Sequence, residues 1–313
     1  MKIVFMGTPD FAVPTLEALI RGGHSVTAVV TQPDKPKGRG KAAGMPPVKI
    51  KAMEYKIPVY QPERIRKDDA FYDELVKLQP DAIVVAAFGQ ILPERILRLP
   101  RLGCINVHAS LLPKYRGAAP IQWAVINGDK ETGVTTMMMD VGLDTGDILE
   151  KTVIELAPKE TGGSLFDRLS EAGGELILST LDKLERGVLT GKKQPEEGAT
   201  YAKMLDKSMG RIDWNMDAAA IERLIRGLNP WPSAYTAFNG RILKLWDADV
   251  AEEENADMVP AGQVVRNDRD GICVQTGNGI LKIRELQLEG KKRMDAAAFL
   301  RGCPLKEGTI LGV

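Results

Sequence analysis

Along the first two-thirds of the chain, short apolar runs alternate with longer stretches whose apolar residues recur every three or four positions. Residues 2–6 are an apolar strand, residues 11–20 set Phe11, Leu16, Leu19 and Ile20 on one helical face ahead of Gly22-Gly23, and residues 25–31 are a valine-rich strand. Strand, helix and strand in that order predict a βαβ unit and therefore a parallel sheet. A short strand at 57–60, a helix over 71–78 and the unbroken run DAIVVAAF at 81–88 continue the alternation. A run with no polar face predicts a central strand covered on both sides. Further strands are predicted at 104–108, at 134–139 and around Val153 and Ile154. Helices are predicted from Pro120 and over 164–185, the latter with Leu165, Leu169, Leu176 and Leu181 on its buried face. From residue 207 the pattern changes. A helix over 217–227, striped by Ile221, Leu224, Ile225 and Leu228, stops at Asn229-Pro230-Trp231-Pro232. Short strands follow at 234–238, 241–250, 262–265, 271–275 and 280–288, the first two joined by the hairpin signal Asn239-Gly240. The expected fold is α/β, with a Rossmann-like doubly wound parallel sheet over 1–189, a Gly- and Pro-containing linker over 190–206, and a small β-barrel over 207–313.

A chain of 313 residues exceeds the size at which single cores stop growing, which supports two domains. Hydrophobic residues at 44% and charged ones at 27% are ordinary for a globular protein. The formal net charge of zero removes any global electrostatic argument for a nucleic-acid or membrane partner, so phosphate contacts would have to be local. No apolar run approaches the roughly 18 residues of a membrane span, and the opening strand is too short for a signal peptide; a cytoplasmic protein with no membrane partner is expected. Cys104, Cys273 and Cys303 are odd in number and far apart, which indicates neither a disulfide framework nor a zinc site. With only His24 and His108 as histidines, no metal is expected. Gly7 after the first strand lacks the GxGxxG context of a dinucleotide site and reads as a tight turn, and His24 reads as a connector residue.

Candidate chemistry concentrates in residues 103–147, GCINVHASLLPKYRGAAPIQWAVINGDKETGVTTMMMDVGLDTGD. On a strand, residues two apart share a face, so Asn106 and His108 project together. The second strand ends in a Gly-rich corner, residues 140–146, that can bring Asp144 back to the end of the first. An amide donor, an imidazole and a carboxylate suit acyl transfer to an amine without a covalent intermediate: the amide and imidazole would hold an oxyanion, and the carboxylate would support the imidazole. By spacing alone, a turn-capping Asn106, a strand-end His108 and an ordinary turn Asp144 account for the residues equally well.

Asn106-Val107-His108 followed by residues 109–120, ASLLPKYRGAAP, together with residues 139–147, MDVGLDTGD, resembles the formyl-tetrahydrofolate-dependent transferase family. The resemblance implies Asn106, His108 and Asp144 as catalytic residues and an OB-like, tRNA-binding form for the C-terminal barrel. The implied co-substrate is 10-formyltetrahydrofolate, contacted by Ser110, Leu111, Leu112 and Pro113. The implied reaction moves its N10 formyl group to the α-amino group of methionyl initiator tRNA. Leu111 and Leu112 would wall an apolar ligand and Pro113 would fix the backbone. The turn at 88–93, after the predicted central strand, would wall the same pocket, with ordinary packing an equal account of Ile91 and Leu92.

Residues 32–51, QPDKPKGRGKAAGMPPVKIK, break the α/β pattern with Lys35, Lys37, Arg39, Lys41, Lys49 and Lys51 against the single acid Asp34. They read as a long mobile loop suited to salt-screened phosphate contacts, or as a solvated surface loop. Family members acting on methionyl-tRNA carry a basic insertion here, which implies tRNA contacts by Arg39, Lys37 and Lys41. The same family includes transferases that act on amino-sugar nucleotides, for which a phosphate-seeking loop has no evident use; that acceptor is the alternative. A non-catalytic RNA-binding module is disfavoured by zero net charge and the absence of RNP-type aromatics. Lys291-Lys292-Arg293 reads equally as a phosphate contact and as a solvated helix start. A monomer is expected.

Overall fold

The computed structural model describes residues 1–36, 43–252, 259–268, 270–303 and 305–312. By packing, the chain divides into two units, Met1–Pro120 with Glu131–Glu155 and Phe166–Ala202, and Lys203–Val313 with Ile121–Lys130 and Leu156–Leu165. The second unit thus recruits two excursions from the N-terminal part.

In chain order, β1 (Lys2–Gly7) leads through α1 (Val13–Arg21) to β2 (Ser25–Val30), the mutually paired β3 (Lys35–Pro36) and β4 (Ala43–Gly44), and α2 (Pro47–Glu54). Next come β5 (Val59–Tyr60), α3 (Asp69–Leu78), β6 (Ala82–Ala86), α4 (Glu94–Leu97) and β7 (Cys104–His108). Then follow β8 (Arg116–Gly117), α5 (Pro120–Ile126), β9 (Glu131–Met138), β10 (Ile148–Glu155), α6 (Gly162–Glu185) and β11 (Tyr201–Ala202). The main sheet is ordered β10-β9-β7-β6-β1-β2-β5. Its β5-β2-β1-β6-β7 part is parallel, and β9 and β10 extend it antiparallel. This is the expected doubly wound sheet. Every residue of β6 is buried, as a strand covered on both faces requires. One layer of the core gathers Val4, Met6, Ala28, Ile83 and Val85 from the strands with Phe71 and Leu75 from α3. The Asp68 carboxylate caps α3 by accepting from the Phe71 N–H at 2.9 Å. Two glycines inside α6 let that helix lie close: a Cβ at Gly173 would stand 2.7 Å from Val107 of β7, and one at Gly174 would stand 3.0 Å from the Pro14 carbonyl.

The loop expected over 32–51 is shorter than its composition suggests. Residues from Pro47 onward are helical, with proline in the first turn, where its missing N–H costs nothing. Lys49 and Lys51 therefore belong to α2, and both are paired: Lys49 with Asp34 at 2.7 Å, Lys51 with Glu17 at 3.1 Å and Glu54 at 2.8 Å. Lys37, Arg39 and Lys41 lie outside the described residues.

Much of the expected linker packs on the first unit. Lys192 and Ile148 exchange two backbone hydrogen bonds of 2.8 Å, β11 pairs with β8, and Gln194 is buried. Flexible composition did not prevent these backbone groups from finding partners within the first unit.

The second unit holds α7 (Ala218–Gly227), β12 (Ala234–Phe238), β13 (Arg241–Val250), β14 (Val264–Asp268), β15 (Gly271–Gln275), β16 (Ile280–Leu288), β17 (Met294–Asp295) and α8 (Ala296–Gly302). The antiparallel sheet runs β12-β13-β16-β15-β14, with β17 beside β16. The C-terminal tail spans the two edges: Val264 and Gly262 bond Thr309 and Leu311, while the Gly312 N–H donates to Ala237 of β12 at 2.9 Å. Leu243, Leu245, Leu281, Ile283 and Ile225 fill the interior. Lys291 does not start a helix. The helix begins at Ala296, where Asp295 caps the Ala298 N–H, and Arg293 instead pairs with Glu285 and lies 5.1 Å over the Trp246 ring.

Candidate active site

The residues expected to form the site lie at and beyond the carboxyl end of β7, beside that of β6. Asn106 lies opposite Val85 of β6 and Met137 of β9, and His108 opposite Thr135 of β9, so neighbouring strands on both sides fix the backbone of β7. The strand is buried except at Asn106, which is partly exposed. No hydrogen bond engages the Asn106 carboxamide among the described residues, so its N–H donors have no partner there.

His108 is buried and tied at one ring nitrogen. Its Nε2 is 2.9 Å from the Tyr115 carbonyl, and because a carbonyl only accepts, Nε2 carries a proton. Its Nδ1 is 3.7 Å from Asp144 Oδ2, an ion-pair separation longer than a hydrogen bond. Oδ2 accepts instead from the Gly117 N–H at 2.8 Å. Imidazole and carboxylate are thus each held by the Tyr115–Gly117 backbone, side by side, with Nδ1 on the side of the acid.

Three non-glycine residues with left-handed backbone lie on the segments leaving β6, β7 and β9: Ala87 at φ 45°, Tyr115 at 61° and Asp144 at 53°. Such conformations cost on the order of 1–3 kcal/mol and cluster where function over-determines them. Asp144 sits in the corner after β9, with Val141 and Leu143 exposed beside it. Asp140 stiffens the corner by accepting from the Gly142 N–H at 3.0 Å and the Thr145 hydroxyl at 2.8 Å.

The four residues expected to touch the folate divide into two kinds. Ser110 and Leu112 are both 0% exposed. The Ser110 hydroxyl donates to the Lys114 carbonyl at 2.6 Å, while Thr135 receives the Leu112 N–H and donates to the Ser110 carbonyl. Lys151, whose ammonium is held below its ordinary pKa by burial, donates to the Leu112 carbonyl. Leu111 and Pro113 remain partly exposed. Ser110 and Leu112 hold the segment in shape; Leu111 and Pro113 are the faces it offers. In the 88–93 turn, Leu92 is buried, Ile91 is 55% exposed, and Gln90 is spent on the Ile65 N–H and the Pro62 carbonyl.

Two buried polar residues adjoin the Asp144 corner: Arg116 lies inside the 109–120 motif, where nothing local marks it as buried, and Gln194 lies in the expected linker. Arg116 is 1% exposed and Gln194 is 8% exposed. Gln194 Nε2 donates to the carbonyls of Asp144 at 2.8 Å and Gly146 at 2.7 Å, and its Oε1 accepts from Arg116 Nε at 3.1 Å. Burial opposes the Arg116 charge, but Tyr201 and Glu196 outweigh it and raise the guanidinium above its ordinary pKa.

Comparison with known proteins places this geometry in context. Residues 1–181 match the family model described as formyl transferase, and residues 204–304 match the formyl transferase C-terminal domain. A methionyl-tRNA formyltransferase of Lachnospira eligens is 58% identical over 100% of both chains. One from Geobacter metallireducens is 53% identical over 100% of this chain and 99% of its own. One from Clostridioides difficile is 51% identical over 100% of both chains. Among solved structures, an N-formyltransferase of Helicobacter canadensis, in complex with folinic acid and dTDP-3-aminofucose, superposes with a TM-score of 0.66 at 18% identity, covering 90% of this chain and 99% of that one. HypX from Aquifex aeolicus in complex with tetrahydrofolic acid gives a TM-score of 0.62 at 17% identity, covering 100% of this chain and 51% of that one. The two structures share the fold.

Proposed function

The chain belongs to the formyl transferase family, and we propose that it transfers the formyl group of 10-formyltetrahydrofolate to the α-amino group of L-methionyl initiator tRNA, giving N-formylmethionyl-tRNA and tetrahydrofolate. The observation that carries this reading is full-length identity of 58% to an enzyme named for that reaction.

In the reaction the neutral methionyl amine attacks the formyl carbon, a C–N bond forms, and the formyl oxygen takes up negative charge. The Asn106 carboxamide, free of internal partners among the described residues, supplies one N–H to that oxygen. Nε2 of His108 is committed to Tyr115, so Nδ1 is the nitrogen left to help Asn106 hold the developing oxyanion. Asp144, at 3.7 Å from Nδ1, stabilises positive charge on the ring and accepts the proton that the attacking amine must lose. Collapse breaks the bond from carbon to N10, and the proton returns to N10. The partly exposed Leu111 and Pro113 flank the folate on a segment whose shape Ser110 and Leu112 maintain. Lys37, Arg39 and Lys41 contact acceptor-end phosphates, contacts that salt weakens. The protein works as a monomer in the cytoplasm; among the described residues no helix is long and apolar enough to cross a membrane.

His108→Gln tests the catalytic assignment. Turnover with formyl donor and methionyl-tRNA should fall about 10²–10⁴-fold, while tetrahydrofolate binding by calorimetry stays within about threefold of wild type. Turnover near the wild-type value would remove His108 from the mechanism.

A further inference from the structure

We propose that Gln194, clamped by Arg116, is a positioning residue for the transfer step: it sets the corner that carries Asp144 and thereby fixes the carboxylate beside His108. This inference rests on the reading of Asp144 as catalytic.

The side chain of Asp144 is restrained by the Gly117 N–H, but its backbone is left-handed and its neighbours Val141, Gly142 and Leu143 are exposed. The bonds that Asp140 makes to Gly142 and Thr145 stay within the corner and do not tie it to the sheet. The Gln194 amide does. Its one NH2 group bridges the carbonyls of Asp144 and Gly146, which bracket the end of the corner. Gly146 packs directly on the end of β9, where a Cβ would stand 1.7 Å from the Met138 carbonyl, so only glycine fits at this end of the corner.

The orientation of that amide is dictated by its partners. Carbonyls only accept and a guanidinium only donates, so Nε2 must face the corner and Oε1 must face Arg116. Arg116 follows Tyr115 and precedes Gly117, the two residues that hold His108 Nε2 and Asp144 Oδ2. The backbone under the imidazole and the corner under the carboxylate are thus joined through Arg116 and Gln194. The segment bearing Gln194 is in turn fixed by the Lys192–Ile148 backbone pair on β10 and by close approach of Gly191 to Asp147, where a Cβ would meet the Asp147 side chain at 2.7 Å. An isosteric Gln194→Glu change keeps a partner for Arg116 but turns a carboxylate oxygen toward two carbonyl oxygens, which removes the donor without emptying the site.

The experiment measures kcat, KM for both substrates and thermal midpoints for wild type, Gln194→Ala, Gln194→Glu, Asp144→Asn and the double variant Asp144→Asn/Gln194→Ala. Displacement of a catalytic group by about 1 Å costs on the order of 100-fold, so Gln194→Ala and Gln194→Glu should each lower kcat by about 10–100-fold with both KM values within about threefold. Both changes leave the Asp144 and Gly146 carbonyls without that donor and should lower the thermal midpoint, so kcat is compared at a temperature well below it. In the Asp144→Asn background, Gln194→Ala should cost less than about twofold more, because residues that act as a unit are not additive. Impaired Asp144→Asn beside wild-type kcat in Gln194→Glu would overturn the positioning role alone, as would the same fold-loss from Gln194→Ala in both backgrounds. Wild-type kcat in Asp144→Asn would overturn the catalytic reading of the carboxylate, and this inference with it.

Discussion

Replacing Asn106 by alanine should separate catalysis from stability. The backbone of Asn106 is held by its pairing with Val85 and Met137, which the substitution leaves intact. The side chain is partly exposed and makes no hydrogen bond among the described residues, so truncation leaves no protein group there unpaired. Without an orphaned partner or a sealed cavity, the expected destabilisation is under about 1 kcal/mol, a midpoint shift of no more than about 2–4 °C for a unit of this size. The loss in the transition state is larger. Removing one preorganised oxyanion donor costs about 2.7–4 kcal/mol, or roughly 10²–10³ in kcat. Formyl transfer would be followed at saturating donor and methionyl-tRNA, alongside thermal melts of the same preparations. A kcat within about threefold of wild type would refute the donor role. A large fall in the midpoint would refute the claim that Asn106 is free of structural duty.

Two further predictions concern the first unit. Burial opposes ionisation of Glu150, yet Lys183, Thr180 and Ser179 together hold its carboxyl below the ordinary value of 4.5. A depressed folded-state pKa adds stability above that value and loses it as pH falls through the folded one. Glu150→Gln should therefore cost about 1 kcal/mol at neutral pH, discounted because Lys183 is 44% exposed, and the difference in melts against wild type should shrink as pH falls below 4.5; a difference independent of pH would contradict the ion-pair account. Cys104 is 1% exposed with its thiol pushed up to about 12 by burial, and Cys273 is 0% exposed. Native protein should give only Cys303 to a thiol reagent and all three cysteines after denaturation; early modification of Cys104 would show that the strand bearing Asn106 opens.

What the sequence displays and what it hides differ by range. β7 is a short apolar run, and alternation alone places Asn106 and His108 on one face, because the pleat is a local property. The corner carrying Asp144 is readable from its glycines. The start of α2 was also written locally, in Pro46-Pro47, but the surrounding glycines and cations suggested one long loop. The pairing of Lys49 with Asp34 at the other end of the same segment, and of Lys51 with Glu17 from α1, forms only once the chain has folded back on itself. Residues 190–206 look like a linker by composition, and only the folded chain shows that Gln194 is buried against Arg116 and the Asp144 corner. The same holds for the division of Ser110–Pro113 into two supporting and two offered side chains. Long-range hydrogen bonds leave no periodic trace.

The central claim is the acceptor, and the direct test is labelled formyl transfer from 10-formyltetrahydrofolate with charged initiator methionyl-tRNA, elongator methionyl-tRNA and a 4-amino-sugar nucleotide offered side by side. Label on the initiator methionyl-tRNA alone is the predicted result. Label on the sugar nucleotide alone would contradict the account, keeping the chemistry of Asn106, His108 and Asp144 while removing tRNA as the substrate.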